Sequence, residues 1–95
     1  MVRKLPADEQ IPMLMDLLAE MVEAVVEHED DVVYTEIPFE DKIQVEVRVV
    51  PSDMGLVLGR NGSTAAAIRQ ILWNACRKTD KKIEVMFACD NGRGR

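Results

Sequence analysis

Met54 to Cys76 reads MGLVLGRNGSTAAAIRQILWNAC, and the fold turns on how that stretch is divided. Met54, Leu56, Val57 and Leu58 form one apolar turn, Gly59-Arg60-Asn61-Gly62 interrupts it, and a longer apolar-periodic segment begins at once. The pattern predicts a short helix, a glycine turn and a long helix. Glycine reaches φ > 0 without a side-chain penalty and lets other backbone come close, so two glycines around Arg60 and Asn61 make a turn against which a polyanion can lie. The first free N–H groups and the positive end of the second helix point at the same turn, which suits a phosphate. In a chain with five glycines the spacing alone carries little weight, and its surroundings must decide.

After Gly62, Ser63 or Thr64 is the expected N-cap of the long helix. Ala65, Ile68, Leu72 and Ala75 recur at helical spacing as a packing stripe that Ile71 and Cys76 broaden. Arg69, Trp73 and Arg77 share another face at steps of four. Trp73 reads either as semi-buried against a neighbouring element or as a contact with another chain. Lys81 and Lys82 precede a strand over residues 83–88, with Ile83, Val85 and Phe87 on its buried side.

On the N-terminal side, residues 42–50 alternate strictly, with Ile43, Val45, Val47 and Val49 on one face and Lys42, Gln44, Glu46 and Arg48 on the other. That is a strand with one dry face. Pro51 ends it, and Ser52 or Asp53 is placed to cap the short helix that follows. Residues 32–37 are β-branched and aromatic and stop at Pro38, which suits an edge or a strand end. Phe39-Glu40-Asp41 is short enough to join the two strands as an antiparallel hairpin. Further back, Leu14, Leu18, Met21 and Val25 predict an amphipathic helix over 12–27 with Pro12 in its first turn, and Met13, Met15 and Met21 read as core filler. Asp16, Glu20, Glu23 and Glu27 repeat along a solvated face where nothing apolar raises a carboxyl pKa. The single His28 reads as a helix-end surface residue.

Ninety-five residues make one domain. Residues 11–89 are the expected domain, with a flexible segment at 1–10 and a mobile tail at 90–95. No run approaches a membrane span, and Pro6, Asp8 and Glu9 interrupt the start where a secretory leader would be apolar, so a cytoplasmic location is expected. Cys76 and Cys89 have no CxxC partner or nearby histidine and read as reduced thiols, with neither metal nor cofactor implied. The net charge is −5, but residues 1–50 hold four basic and thirteen acidic side chains (4 − 13 = −9), whereas 51–95 hold eight and four (8 − 4 = +4). The glycine turn therefore lies in the basic half, and a polyanionic partner fits it.

Rival chemistries fail on single residues. A nucleotide-binding P-loop needs Lys immediately before Ser63, and Gly62 stands there. A hydrolase needs a nucleophile, a base and an orienting group, and one terminal histidine supplies none of that set, so no catalytic residue is assigned.

The element order helix, strand, strand, short helix, glycine turn, helix, strand resembles the KH (K homology) domain of the prokaryotic type, type II, and within it the small bacterial single-domain proteins of the KhpA kind. The residues that carry the resemblance are VRVVPSDMGLVLGRNGSTAAAIRQIL: a strand, Pro-x-Asp, an apolar pair, Gly-basic-x-Gly and an alanine-rich helix with Ile-Arg. It extends over residues 11–88, with Arg60 where KH loops often carry Lys. The resemblance implies an α+β fold of three strands backed by three helices, and a loop that clamps about four single-stranded nucleotides. On that reading Gly59 and Gly62 give close approach, Arg60 a phosphate contact, Asn61 with Ser63 or Thr64 further donors, and Val57 and Leu58 the floor of an apolar groove. It also implies single-stranded RNA as partner, a homodimer or a heterodimer with a larger KH-containing protein, and Arg69, Trp73 and Arg77 as a possible partner surface. The alternative is a protein-interaction subunit of the same fold with little RNA binding.

Overall fold

The computed structural model describes residues 7–76 and 82–89. Its order is α1 (Ala7–Val25), β1 (Val33–Pro38), β2 (Lys42–Val49), α2 (Pro51–Leu58), α3 (Ser63–Ala75) and β3 (Lys82–Cys89), with single 3₁₀ turns at Glu29–Asp31 and Arg60–Gly62. The expected α-β-β-α-α-β order is the one observed. Of the expected flexible segment at 1–10, residues 7–10 open α1 and 1–6 lie outside the described residues, as do Arg77, Lys81 and the expected tail at 90–95.

The strands form one sheet in the order β1-β2-β3. β1 and β2 are antiparallel, from Val33 opposite Arg48 to Pro38 opposite Ile43, and Phe39 N–H donates to the Lys42 carbonyl at 2.8 Å to close the hairpin. β2 and β3 are parallel, with Ile43 beside Ile83 and Val49 beside Cys89. Parallel neighbours require a crossover, and α2, the glycine turn and α3 are that crossover. The turn is thus the midpoint of the link that the topology demands.

Alternation along β2 is complete: Ile43, Val45, Val47 and Val49 are buried and the residues between them are not. They meet Ile11, Leu14, Leu18 and Val22 of α1, Ile68 and Leu72 of α3, and Ile83 and Val85 of β3. Fully burying a side chain such as Leu18 contributes about 1.5–3 kcal/mol, and this cluster holds the helical layer on the sheet.

Several expectations are corrected here. α1 begins at Ala7, so Pro12 stands inside the helix rather than in its first turn. The buried stripe runs through Ile11, Leu14, Leu18 and Val22, with Met21 and Val25 at its margin. That stripe holds the helix across the hydrogen bond that proline removes. Met13 is 60% exposed and fills no core, whereas Met15 and Met21 pack partly against it. Ile71 is exposed and does not broaden the α3 stripe. Phe87 is only partly buried.

Candidate nucleic-acid interface

At the tip of the crossover, α2 ends at Leu58 and Gly59 N–H donates to the Gly55 carbonyl at 2.9 Å. Gly59 has φ 75° and ψ 178°, a region essentially reserved for glycine. A Cβ there would also fall 2.7 Å from the backbone nitrogen of Thr64, so the two arms of the turn touch where Gly59 meets Thr64. Asn61 (φ 55°) and Gly62 (φ 77°) continue the turn in the left-handed region, and Gly62 N–H returns to the Gly59 carbonyl at 3.2 Å. Asparagine tolerates that region better than most side chains, which accounts for its place between two bends.

Arg60, Asn61 and Ser63 are exposed, and Leu58, Gly59, Gly62 and Thr64 are partly so. Neither Ser63 nor Thr64 caps α3; Gly62 is the N-cap and no side chain closes that end. The correction matters for the site: Ser63 N–H donates to the Arg60 carbonyl, and no side chain covers the start of α3 beside a charged, exposed Arg60. Val57 is also corrected. It is completely buried in the core and offers no groove floor, which leaves Leu58 as the apolar side chain at the turn.

The far end of α2 is fastened differently. Its N-cap is Val50, with Pro51 opening the helix and no side-chain cap. Asp53 therefore does not cap its own helix. Its carboxylate, wholly buried, accepts the N–H groups of Glu27 at 3.2 Å and His28 at 2.9 Å, and lies 3.3 Å from His28 Nδ1. Burial by itself would raise this carboxyl. The two backbone donors from Glu27 and His28, helped by the imidazole, outweigh it and hold the group below the usual carboxylate range. Sequence reading missed this tie because its partners are 25 and 26 positions away. The Pro-x-Asp signal marks the residue but not what it holds.

Arg69 and Trp73 do lie together on α3. Arg69 Nε donates to the Val85 carbonyl at 3.1 Å, and its guanidinium is 5.4 Å from the Phe87 ring centroid. Trp73 is 52% exposed, with Lys82 Nζ 4.4 Å over its ring. A groove of about 280 Å³ runs between these two residues and β3 residues Ile83 to Met86. Another groove, of about 340 Å³, separates α1 from α3 between Met21, Val25, Ile68 and Ile71 and reaches Ser63 and Thr64. The ring contact of Phe87 with Arg69 and that of Lys82 with Trp73 depend on the α3–β3 packing, and no local signal in the sequence marks them.

Among the described residues no group of three His, Cys, Asp or Glu side chains could hold a metal, and no helix is long and apolar enough to cross a membrane. Cys76 is buried, its Sγ accepts the Ile83 N–H at 3.2 Å, and burial raises its thiol pKa.

Three helices on a three-stranded sheet in this order, with a glycine turn inside the crossover, define a type II KH domain. The profile of the KhpA/KhpB KH domain matches residues 15–87. The chain is 35% identical over 72 residues to an RNA-binding protein KhpA of Clostridium acetobutylicum, covering 76% of this chain and 96% of that one. It is 36% identical over 70 residues to an RNA-binding protein KhpA of Aquifex aeolicus (74% and 89%), and 34% identical over 71 residues to that of Borreliella burgdorferi (75% and 87%). No solved structure matches the chain. The chain belongs to the KhpA/KhpB KH-domain family, which is not a family of enzymes.

Proposed function

We propose that the protein binds single-stranded RNA by clamping the backbone of about four nucleotides on Gly59-Arg60-Asn61-Gly62. The observation that carries this reading is the turn itself: positive φ at Gly59, Asn61 and Gly62, an exposed guanidinium, and the uncapped start of α3 in one place. Its relatives are named RNA-binding proteins, which supports the same partner. Arg60 meets a phosphate, Asn61, Ser63 and Thr64 donate to phosphate or sugar oxygens, and Leu58 offers apolar contact to a base.

A clamp on so few nucleotides is a small interface, and a second clamp raises the effective concentration. The protein therefore works as a homodimer or with a larger KH-containing protein, for which the half-exposed Trp73 beside Arg69 is a surface. In the cytoplasm it acts as an RNA chaperone or post-transcriptional regulator, linked to cell elongation and envelope homeostasis.

The test is Arg60→Asp combined with Asn61→Asp. Both side chains are exposed, so melting should change by less than about 0.5 kcal/mol, while affinity for single-stranded RNA falls at least about a hundredfold, roughly 2.7 kcal/mol. Unchanged affinity in the folded double variant overturns the assignment and favours a protein-interaction subunit.

A further inference from the structure

The glycine turn places Asn61 directly before Gly62, and that pair has a chemistry of its own. The backbone nitrogen of the residue after an asparagine can attack the side-chain Cγ, and a following glycine hinders the attack least because it carries no Cβ. Around Gly62 the approach is open, since an added Cβ would meet nothing within 4 Å. Asn61 is exposed, and no residue of the Arg60–Gly62 turn is buried. At φ 55° and ψ 28° the turn is closed, with Gly62 N–H on the Gly59 carbonyl at 3.2 Å and Ser63 N–H on that of Arg60. Ring closure requires Asn61 to rotate about ψ and Gly62 N–H to leave its acceptor. A single 3₁₀ turn at the surface is the kind of segment that opens locally while the core stays folded.

We infer that Asn61 is a site of spontaneous deamidation and that bound RNA protects it, so the turn ages when it is empty and is preserved when it is occupied. The Gly62 nitrogen forms a bond to Asn61 Cγ, the Cγ–Nδ2 bond breaks, and the Gly62 proton leaves with the amide as ammonia. Water then opens the five-membered ring. Attack at Cγ returns an ordinary chain with aspartate at 61, and attack at the main-chain carbonyl leaves an isoaspartyl link, one atom longer in the backbone. The sum is amide plus water to carboxylate plus ammonium, with no oxidant or enzyme. Either product removes the two side-chain N–H donors of Asn61 and sets a negative charge beside Arg60, where a phosphate would lie. RNA acts in the opposite direction. It binds the closed turn, so its occupancy draws the population away from the open form in which the ring closes. The inference rests on the reading of this turn as the RNA clamp and adds a covalent limit to its life.

The chain carries its own reference, because Asn91-Gly92 repeats the dipeptide outside the described residues. The full-length protein is incubated in mildly alkaline buffer, alone and with a short single-stranded RNA of mixed sequence, and is sampled over time. Trypsin releases residues 61–69 as one peptide, in which mass spectrometry reads the exchange of NH2 for OH and chromatography separates the aspartyl and isoaspartyl forms. The protein alone should convert at both asparagines. RNA at about ten times its dissociation constant should slow conversion at Asn61 about tenfold relative to Asn91. Protein converted at position 61, separated from the rest by anion exchange, should bind the RNA about tenfold or more weakly. An Asn61 that stays intact in the free protein while Asn91 converts overturns the modification site. Conversion at Asn61 that RNA does not slow and that leaves affinity unchanged overturns the coupling. The Arg60→Asp and Asn61→Asp double variant separates the two claims: if it loses affinity the clamp stands and only the coupling has failed, and if it binds like wild type the clamp has failed.

Discussion

The two ends of α2, a helix of eight residues, solve opposite problems. At the N-terminal end a buried carboxylate ties the helix to the turn after α1, so Asp53 is shielded and fully partnered. At the C-terminal end the chain is bent by positive φ at Gly59, Asn61 and Gly62, and Arg60 projects into solvent. Val57 stands between them, closed into the core. The contrast shows how a short helix of modest intrinsic stability presents a loop with fixed geometry: one end and the middle are anchored, and the other end is left for a ligand.

Substitutions that break the contrast should rank in size. Gly59→Ala should have the largest effect, about 3 kcal/mol in denaturant unfolding, because it adds backbone strain of about 1–3 kcal/mol to a collision with the Thr64 backbone. A loss of only a few tenths of a kcal/mol would show that the two arms are not in contact. Val57→Ala should cost about 2 kcal/mol from the methyl groups removed and the cavity left, with RNA affinity of the folded protein little changed. Gly62→Ala should cost about 1 kcal/mol, since only the left-handed backbone opposes it and no atom stands within 4 Å of the added Cβ.

The Asp53 tie sharpens the comparison on the pH axis. Its folded pKa is depressed, so its contribution is present above the unfolded value, near pH 4, and is lost as pH falls through the lower folded value. Wild type should therefore lose stability more steeply than Asp53→Asn on going below about pH 4; parallel acid limbs would mean the carboxylate is not what the tie depends on. The smallest effect belongs to the loop end. A clamp on few phosphates should give a slope of log K against log salt of about −1.5 to −3, at roughly 0.7 per phosphate on single strands, and a slope steeper than about −5 would indicate diffuse charge attraction.

The sequence shows those features whose cause is local. Period-two alternation in β2, the proline at the start of α2 and the glycine pair at the turn each declare themselves within a few residues. What it hides depends on partners far along the chain. The role of Asp53 needs Glu27 and His28, the exposure of Met13 depends on which stripe of α1 meets the sheet, and the burial of Val57 follows from how the crossover folds back on β3. Ser63 and Thr64 look like caps by residue type, yet the left-handed Gly62 takes that position because the turn arrives there already bent.

The most direct test of the account is a backbone amide NMR titration with a short single-stranded RNA. The account predicts that the largest chemical-shift changes fall on Gly59 to Thr64 and the adjoining ends of α2 and α3, with the acidic face of α1 and the β1 edge unmoved. Shifts concentrated on Trp73 or on α1 with the turn silent, or no shifts in the presence of excess RNA, would contradict it.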